Sequence, residues 1–361
     1  MSNAAAATIE KSKTAQIWTH LPEEMRSIAE STWPLGLMSS EKYGKARAAQ
    51  LPHGAIVVDP KSAADHPEMW RLVKQMLPSP AYHAWRVRQV IANGQVLRML
   101  ASQGIPGWTF PRDHYQGRPA YIVGNGPSAL LARDHIPRKP DRRGLVFAVN
   151  GAAKLFESDL DFWCIGDALW PDGRLAWRHR VLGEWGSIDY TGSHAISSIY
   201  TSAEALELYK LAGGGSVNFY HGCHENPYRP LVTEDQDLPA FVEGLQAVTS
   251  HIHAAWWLGC SPIILFGLDQ CYRPEEGSLH AAGNAGWRPS NLSQWVEVID
   301  VTGKKSQTSP DMVSAATHIA ALAMWIQDTG TRVWNASEGV DYVFAPHVKA
   351  DEIVRKTESD Y

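Results

Sequence analysis

The chain has 361 residues, of which 44% are hydrophobic and 20% charged, and this composition excludes a disordered or fibrous protein. Its 33 Lys and Arg against 38 Asp and Glu leave a formal net charge of −5, which argues against a general nucleic-acid binder. The 4 cysteines form no C-x-x-C pair, so we expect a reducing, cytoplasmic compartment and no disulfide framework. The most apolar stretch, residues 315–326, is too short to cross a bilayer, and we expect no membrane span.

The first part of the chain, residues 1–115, has a pattern of its own. Apolar residues recur with helical spacing at 69–76 and 84–100, and prolines divide the remainder into short pieces. We therefore predict a small, mostly helical N-terminal region. Residues 104–119, rich in Gly, Pro, Arg and aromatic side chains, are interpreted as a linker or docking loop.

From residue 116 to 347, short apolar runs alternate with helical stretches. The predicted strands are 120–123, 145–149, 162–165, 216–220, 262–266 and 332–334, and the predicted helices are 129–133, 202–211, 241–258 and 311–327. This alternation predicts an α/β fold, a Rossmann-like and mostly parallel sheet with helices on both faces. The charged segment 348–361 is predicted to be a frayed tail.

A glycine-rich turn, Gly124-Asn125-Gly126-Pro127-Ser128, follows the first predicted strand and precedes a helix. Glycines allow close backbone approach, and a helix start offers N–H groups to an anion, so the motif predicts phosphate binding. It lacks the Lys of a P-loop. The second strand ends in Asn150 instead of the acidic residue that a dinucleotide site needs, so the motif does not predict NAD binding.

Other candidate ligand-binding residues lie at the ends of the remaining predicted strands, except Thr249 and Ser250, which stand before the strand at 262–266 and could cap a helix or face the ligand. They are Asp167, Thr249, Ser250, Gly267, Asp269, Asn335 and Ser337. Because the carboxyl ends of parallel strands share one edge, we expect these residues to lie near the glycine-rich turn and bind the same ligand. A zinc site is conceivable at His221, Cys223 and His224. The sequence has no second cluster with metal-ligand spacing, so we predict no metal site.

The long polar segment between Asp269 and Pro310 is interpreted as a lid or an acceptor-binding element. Its only histidine, His280, is a candidate general base because an imidazole titrates near neutral pH. Lys304 and Lys305 are candidates for stabilising a leaving phosphate.

The order of these motifs resembles the MptE-like family, which includes the motility-associated Maf flagellin glycosyltransferases and archaeal 6-hydroxymethylpterin diphosphokinases. It is also similar to the Cst-type bacterial sialyltransferases. The motifs are Gly-Asn-Gly-Pro-Ser at 124–128, Val-Asn at 149–150, Asp167, Thr249-Ser250, Leu-Gly-Cys at 258–260, Phe-Gly-Leu-Asp at 266–269, Thr308 and Asn-Ala-Ser-Glu-Gly at 335–339. The resemblance covers residues 119 to about 345.

By this resemblance, Gly124, Asn125, Gly126, Ser128 and Asn150 bind the nucleotide of an activated donor, which in the sialyltransferases is a CMP-linked nonulosonic acid. In those enzymes a histidine in the loop before the last long helix acts as the general base. This chain has Gly-Lys-Lys-Ser at that place, residues 303–306. Either His280 or Asp269 takes over that role, or the chemistry differs.

Three functions therefore follow as hypotheses. The first is a transferase, a glycosyltransferase with a nucleotide-sugar donor linked to CMP. The second is pyrophosphoryl transfer from ATP to a pterin-like alcohol, with Mg²⁺ held by Asp167 and Asp269. The third is a non-catalytic nucleotide-binding module. The sequence leaves the acceptor open among a protein, a glycan, a modified nucleic-acid base and a small metabolite, and it leaves open a homo-oligomer.

Overall fold

The computed structural model describes residues 80–167, 169, 175–222, 238–242, 246–272, 296–340, 342 and 345–359. Several sequence predictions fall outside these residues, namely the helix at 69–76, His280, and the pair Cys223 and His224.

In this part of the chain, eight strands form one parallel sheet, and two form a separate antiparallel hairpin. The sheet strands are β1 (Ala120–Val123), β2 (Leu145–Val149), β3 (Phe162–Ile165), β4 (His194–Ser198), β5 (Val217–Gly222), β6 (Ala240–Phe241), β7 (Ile263–Phe266) and β10 (Val333–Asn335). The hairpin pairs β8 (Val296–Ile299) with β9 (Lys305–Thr308). The predicted α/β fold with a mostly parallel sheet is confirmed.

The helices connect or flank these strands. They are α1 (Pro80–Ser102), α2 (Ala129–His135), α3 (Leu175–Gly186), α4 (Ala203–Leu211), α5 (Val248–Trp257), α6 (Pro310–Asp328) and α7 (Ala350–Ser359). None of these helices combines the length and the apolarity needed to cross a membrane.

The central strands are buried along their whole length. β1, β2, β3 and β7 consist of apolar residues with almost no exposed surface, as expected for parallel strands covered on both faces. β1 lies between β2 and β7 with an in-step register, so that Val123 pairs with Ala148 on one side and Phe266 on the other. The ends of these three strands therefore lie side by side.

The strand order is β10-β7-β1-β2-β3-β4-β5-β6. The chain moves outward from β1 through β6, and α5 then brings it back to β7 on the other side of β1. Right-handed connections in opposite directions place helices on opposite faces of the sheet. The reversal creates a crevice at the carboxyl ends of β1 and β7, where open α/β sheets bind their ligands.

The structure also corrects the sequence analysis at several elements. β4, β6, the β8–β9 hairpin and α3 were not predicted, and the helix expected from residue 241 begins at Val248. The C-terminal segment expected to fray is the helix α7, which buries Ile353 and Val354 and packs against α2.

Candidate functional site

The glycine-rich turn after β1 packs directly against the chain that follows β7. The Gly124 N–H donates to the Phe266 carbonyl at 2.8 Å, and the Gly126 N–H donates to the Gly267 carbonyl at 2.8 Å. A Cβ on Gly126 would lie 2.6 Å from Oδ2 of Asp269 and 2.8 Å from the Gly267 oxygen. Both glycines are therefore required by the close approach of the two strand ends.

Asp269 is the residue that holds this turn. Its side chain is buried, with 3% exposure, and its Oδ2 accepts the Ser128 N–H at 2.9 Å, while Oδ1 accepts the Ser128 hydroxyl. The next amide, Ala129 N–H, donates to the Gly126 carbonyl at 2.9 Å. From the sequence, these amides are predicted to face a phosphate and Asp269 to serve as a base or a Mg²⁺ ligand. In the structure, a carboxylate of the protein itself occupies that position on the turn.

Asn150 immediately follows β2, beside the turn. Its backbone is left-handed, with φ of 51°, a conformation that Asn tolerates better than most residues. Its carbonyl accepts the Trp163 indole N–H at 3.1 Å. Its side-chain Oδ1 is buried, yet no described residue hydrogen-bonds to it. Buried polar atoms are nearly always partnered in proteins, so we expect a donor from outside the described residues, such as a water or a ligand, at this oxygen.

Thr249 and Ser250 lie in the first turn of α5 and are buried, with 0% and 1% exposure. α5 contacts β1, β2 and β7 and leads back toward the amino end of β7, so its first turn lies at the carboxyl edge of the sheet. The preceding residue, Ala247, provides no side-chain cap. The Thr249 hydroxyl is a second buried polar group without a hydrogen-bond partner among the described residues.

The residues predicted at the outer strand ends have structural partners. Asp167 follows β3, and its Oδ1 accepts the Leu169 N–H at 2.7 Å. At the end of β10, Oδ1 of Asn335 accepts the Ser337 N–H at 2.9 Å, and the Ser337 hydroxyl accepts the Leu268 N–H at 3.0 Å. Ser337 thus joins the β10 end to the β7 end, while Nδ2 of Asn335 is buried and unpartnered within the described chain.

Lys305 lies away from this group of residues. Its side chain, on β9, is 74% exposed, and its Nζ lies 3.0 Å from the Glu297 carboxylate on the facing strand β8. The hairpin is attached through a bridge between Tyr272 and Gln307. The pleat of β9 directs Lys305 outward and Ser306 inward, so in this structure the Lys305 ammonium is paired within the hairpin.

The two histidines of α5 serve the packing of that helix. Nδ1 of His253 accepts the Val242 N–H at 2.8 Å, so the ring is held in its neutral form. Burial, with a smaller contribution from the Arg112 charge, lowers the pKa of His253 to about 4. Nε2 of His251 lies 3.3 Å from the Ile196 carbonyl. In the part of the chain that the structure describes, no three His, Cys, Asp or Glu side chains converge as metal ligands would.

Two residues that the sequence analysis did not select, Gln246 and Gln270, also lie at this edge and hydrogen-bond to each other. Gln270 has a left-handed backbone with φ of 50°, as do Asn150 and, at 48°, Leu169. Such conformations are uncommon for residues with side chains and often mark functional sites. The sequence carries only a weak signal for Gln270, its position directly after Asp269.

No protein-family model and no curated protein matches this sequence. A solved structure described as a Maf glycosyltransferase from Magnetospirillum magneticum AMB-1 is similar in fold, with a TM-score of 0.53 and 16% sequence identity. The similarity covers 76% of this chain and 40% of that chain, so this chain spans about two fifths of the length of that protein.

Proposed function

We propose that this protein is a glycosyltransferase that takes a nucleotide-activated sugar, linked to CMP, at the carboxyl edge of its sheet. The observation that carries the proposal is the pair of buried, unpartnered oxygens, Asn150 Oδ1 and Thr249 Oγ1, beside the crevice between β1 and β7. Each such atom costs about 1–3 kcal/mol when it has no partner, and this pair lies at the edge where open α/β sheets bind ligands, which supports a ligand that satisfies both atoms. The fold shared with a Maf glycosyltransferase agrees with this assignment.

The charges at this edge determine how the nucleotide is oriented. The buried carboxylate of Asp269 repels a phosphate from the Ser128 amide, with which it is hydrogen-bonded. The first turn of α5 offers the alternative, because a helix start carries partial positive charge and the Thr249 hydroxyl is a hydrogen-bond donor. In this proposal the donor phosphate binds there, and Asn150 accepts a hydrogen bond from the nucleoside.

The reaction then needs only a base and a leaving group. A base removes the proton from the acceptor hydroxyl, the oxygen forms a bond to the anomeric carbon, and the bond to the phosphate oxygen breaks with its electron pair leaving on CMP. His280 stays our candidate base. Lys305 has no part in this proposal, because it is exposed and paired with Glu297.

The test compares two threonines whose hydroxyls are both buried and unpartnered but lie in different parts of the fold. Thr249→Val removes the unpartnered hydroxyl at the carboxyl edge, and Thr357→Val removes an equally buried, unpartnered hydroxyl in α7. By calorimetric titration we expect CMP to bind without Mg²⁺, about tenfold more weakly to the Thr249 variant and with unchanged affinity to the Thr357 variant. Both variants should unfold at temperatures equal to or above that of the wild type, since a buried unpartnered hydroxyl is lost.

Other results assign other functions. Binding of ATP that requires Mg²⁺ would favour pyrophosphoryl transfer, and binding of no nucleotide would favour a non-catalytic module. If CMP binds the Thr249 variant as tightly as the wild type, the first turn of α5 is not the phosphate site.

A further inference from the structure

Two glutamine side chains form a bridge at the carboxyl edge. Gln246 precedes α5, and Gln270 follows β7 and Asp269. Nε2 of Gln246 donates to Oε1 of Gln270 at 3.0 Å, and Nε2 of Gln270 donates back to Oε1 of Gln246 at 2.6 Å. Gln270 is 8% exposed, whereas Gln246 is only partly buried. The two carboxamides are thus closed into a ring by two hydrogen bonds.

The bridge connects the flanks of the crevice. Ala247, next to Gln246, lies against the chain after β3, because a Cβ on Gly166 would be 3.2 Å from the Ala247 Cβ. Gln270 belongs to the chain after β7. In the sheet, β1 and β2 lie between β7 and β3. The amide pair therefore joins the two sides of the region where the glycine-rich turn and Asn150 lie.

Gln270 is held in place by its backbone. Its φ of 50° is uncommon for a residue with a side chain, and its carbonyl accepts the Thr308 hydroxyl at 2.8 Å. The residue before it, Asp269, is bonded to Ser128. A strained conformation persists only where its surroundings impose it, so the direction of the Gln270 side chain is set by the same contacts that shape the turn.

The amide pair still has hydrogen-bonding capacity. A carboxamide has two N–H donors and two acceptor lone pairs, and the reciprocal pair uses one of each from both residues. The Gln270 side chain has a further hydrogen bond with the buried Tyr342 hydroxyl, so the edge left for a ligand is the remaining N–H of Gln246 beside the remaining lone pair of the Gln270 oxygen. A donor next to an acceptor is complementary to a nucleobase edge, and a single glutamine amide offers the same donor–acceptor pattern when it binds a base.

We propose that Gln246 and Gln270 together bind the nucleobase edge of the nucleotide, cytosine in a CMP-linked donor. This inference rests on the proposed function, since it assumes that a nucleotide binds at this edge. A base-binding role differs from a purely structural one in its effect on specificity. Loss of a structural contact would weaken the binding of every ligand, whereas loss of a base contact would weaken only ligands that carry a base.

The experiment compares CMP with ribose 5-phosphate, which has the same sugar and phosphate but no base, using ligand-observed NMR that detects weak binding. We expect Gln246→Met and Gln270→Met each to weaken CMP binding about tenfold while leaving ribose 5-phosphate binding unchanged. Gln116→Met, an exposed glutamine before β1 at the opposite edge, is the matched control and should change neither affinity. Gln246 is less buried than Gln270, so its variant carries the test if the Gln270 variant fails to fold.

Equal weakening of both ligands, or no weakening of CMP binding, overturns the base-binding role while the proposed function stands. A wild-type protein that binds neither ligand overturns both proposals.

Discussion

The carboxyl and amino edges of the parallel sheet are built from the same strands, but their polar groups are partnered differently. At the carboxyl edge, Asn150 and Thr249 bury oxygens without a partner in the described chain. At the amino edge, the Glu358 carboxylate accepts the Tyr121 hydroxyl at 2.6 Å and the N–H groups of Arg143 and Gly144 at 2.7 and 3.1 Å.

Arg142 also lies at the amino edge, and its side chain has several hydrogen-bond partners. Its buried guanidinium donates to the Gly144 carbonyl at 3.0 Å, to the Asp159 carbonyl at 2.7 Å and to the Asp161 carboxylate at 2.6 Å. Asp161 in turn accepts the Val146 N–H at 2.8 Å. Charged groups with this many partners stabilise the fold and have little remaining capacity for a ligand. Apart from the unpartnered Thr357 hydroxyl in α7, these groups of the amino edge stabilise the fold, and the ligand site that we propose lies at the carboxyl edge.

The largest expected effect concerns Asp269, a buried carboxylate of the carboxyl edge that accepts two hydrogen bonds from Ser128. Asp269→Ala leaves the Ser128 N–H and hydroxyl without their acceptor, and we expect the free energy of unfolding to fall by about 3 kcal/mol in urea titrations. Asp269→Asn keeps an oxygen and should lose about half as much. A loss below about 0.5 kcal/mol in the alanine variant would show that the turn does not depend on this carboxylate.

The second prediction concerns Glu358. Glu358→Ala leaves the buried Tyr121 hydroxyl and two backbone N–H groups without their acceptor, so we expect a loss of about 2 kcal/mol of unfolding free energy with nucleotide affinity unchanged. Glu352→Ala, on the same helix and paired with Lys349 at the surface, should cost less than about 0.5 kcal/mol. A change in nucleotide affinity in the Glu358 variant would contradict the separation of the two edges.

The third prediction concerns His253, which lies in a third region, the layer between α5 and α6. We expect this histidine to make the stability of the protein depend on pH. Burial lowers the pKa of His253 to about 4 from an ordinary 6.5, so the unfolded chain binds a proton that the folded one excludes. The corresponding stability is complete above pH 6.5 and is lost as the pH falls toward 4, with a loss of about 2 kcal/mol at pH 5. Burial also lowers the pKa of His194, which adds in the same direction.

His253→Gln should flatten this dependence between pH 7 and 5, since glutamine can accept the Val242 N–H without titrating. His347→Gln, at an exposed position, is the control for replacing a histidine. Parallel stability curves for the wild type and the His253 variant would assign the acid sensitivity to another group.

The central strands were predictable from sequence because they are buried on both faces and therefore continuously apolar. β1, β2 and β3 have the predicted bounds. β4 escaped prediction because it is His-Ala-Ile-Ser-Ser, a run with three polar residues that is buried because it pairs with β3 and β5 in the interior of the sheet. α7 escaped because its charged sequence is ordered by contacts from distant parts of the chain, such as Glu358 with Tyr121.

The sequence by itself determined the alternation of apolar strands and helices, because this alternation depends on local periodicity. The alternation in turn determined the parallel sheet and the edge where Asn150 and Thr249 lie. Only the tertiary structure decided which polar groups meet. It paired Asp269 with Ser128, 141 positions away, and Gln246 with Gln270, 24 positions away. Hydrogen bonds between distant residues depend on how strands stack side by side, and no local pattern encodes that arrangement.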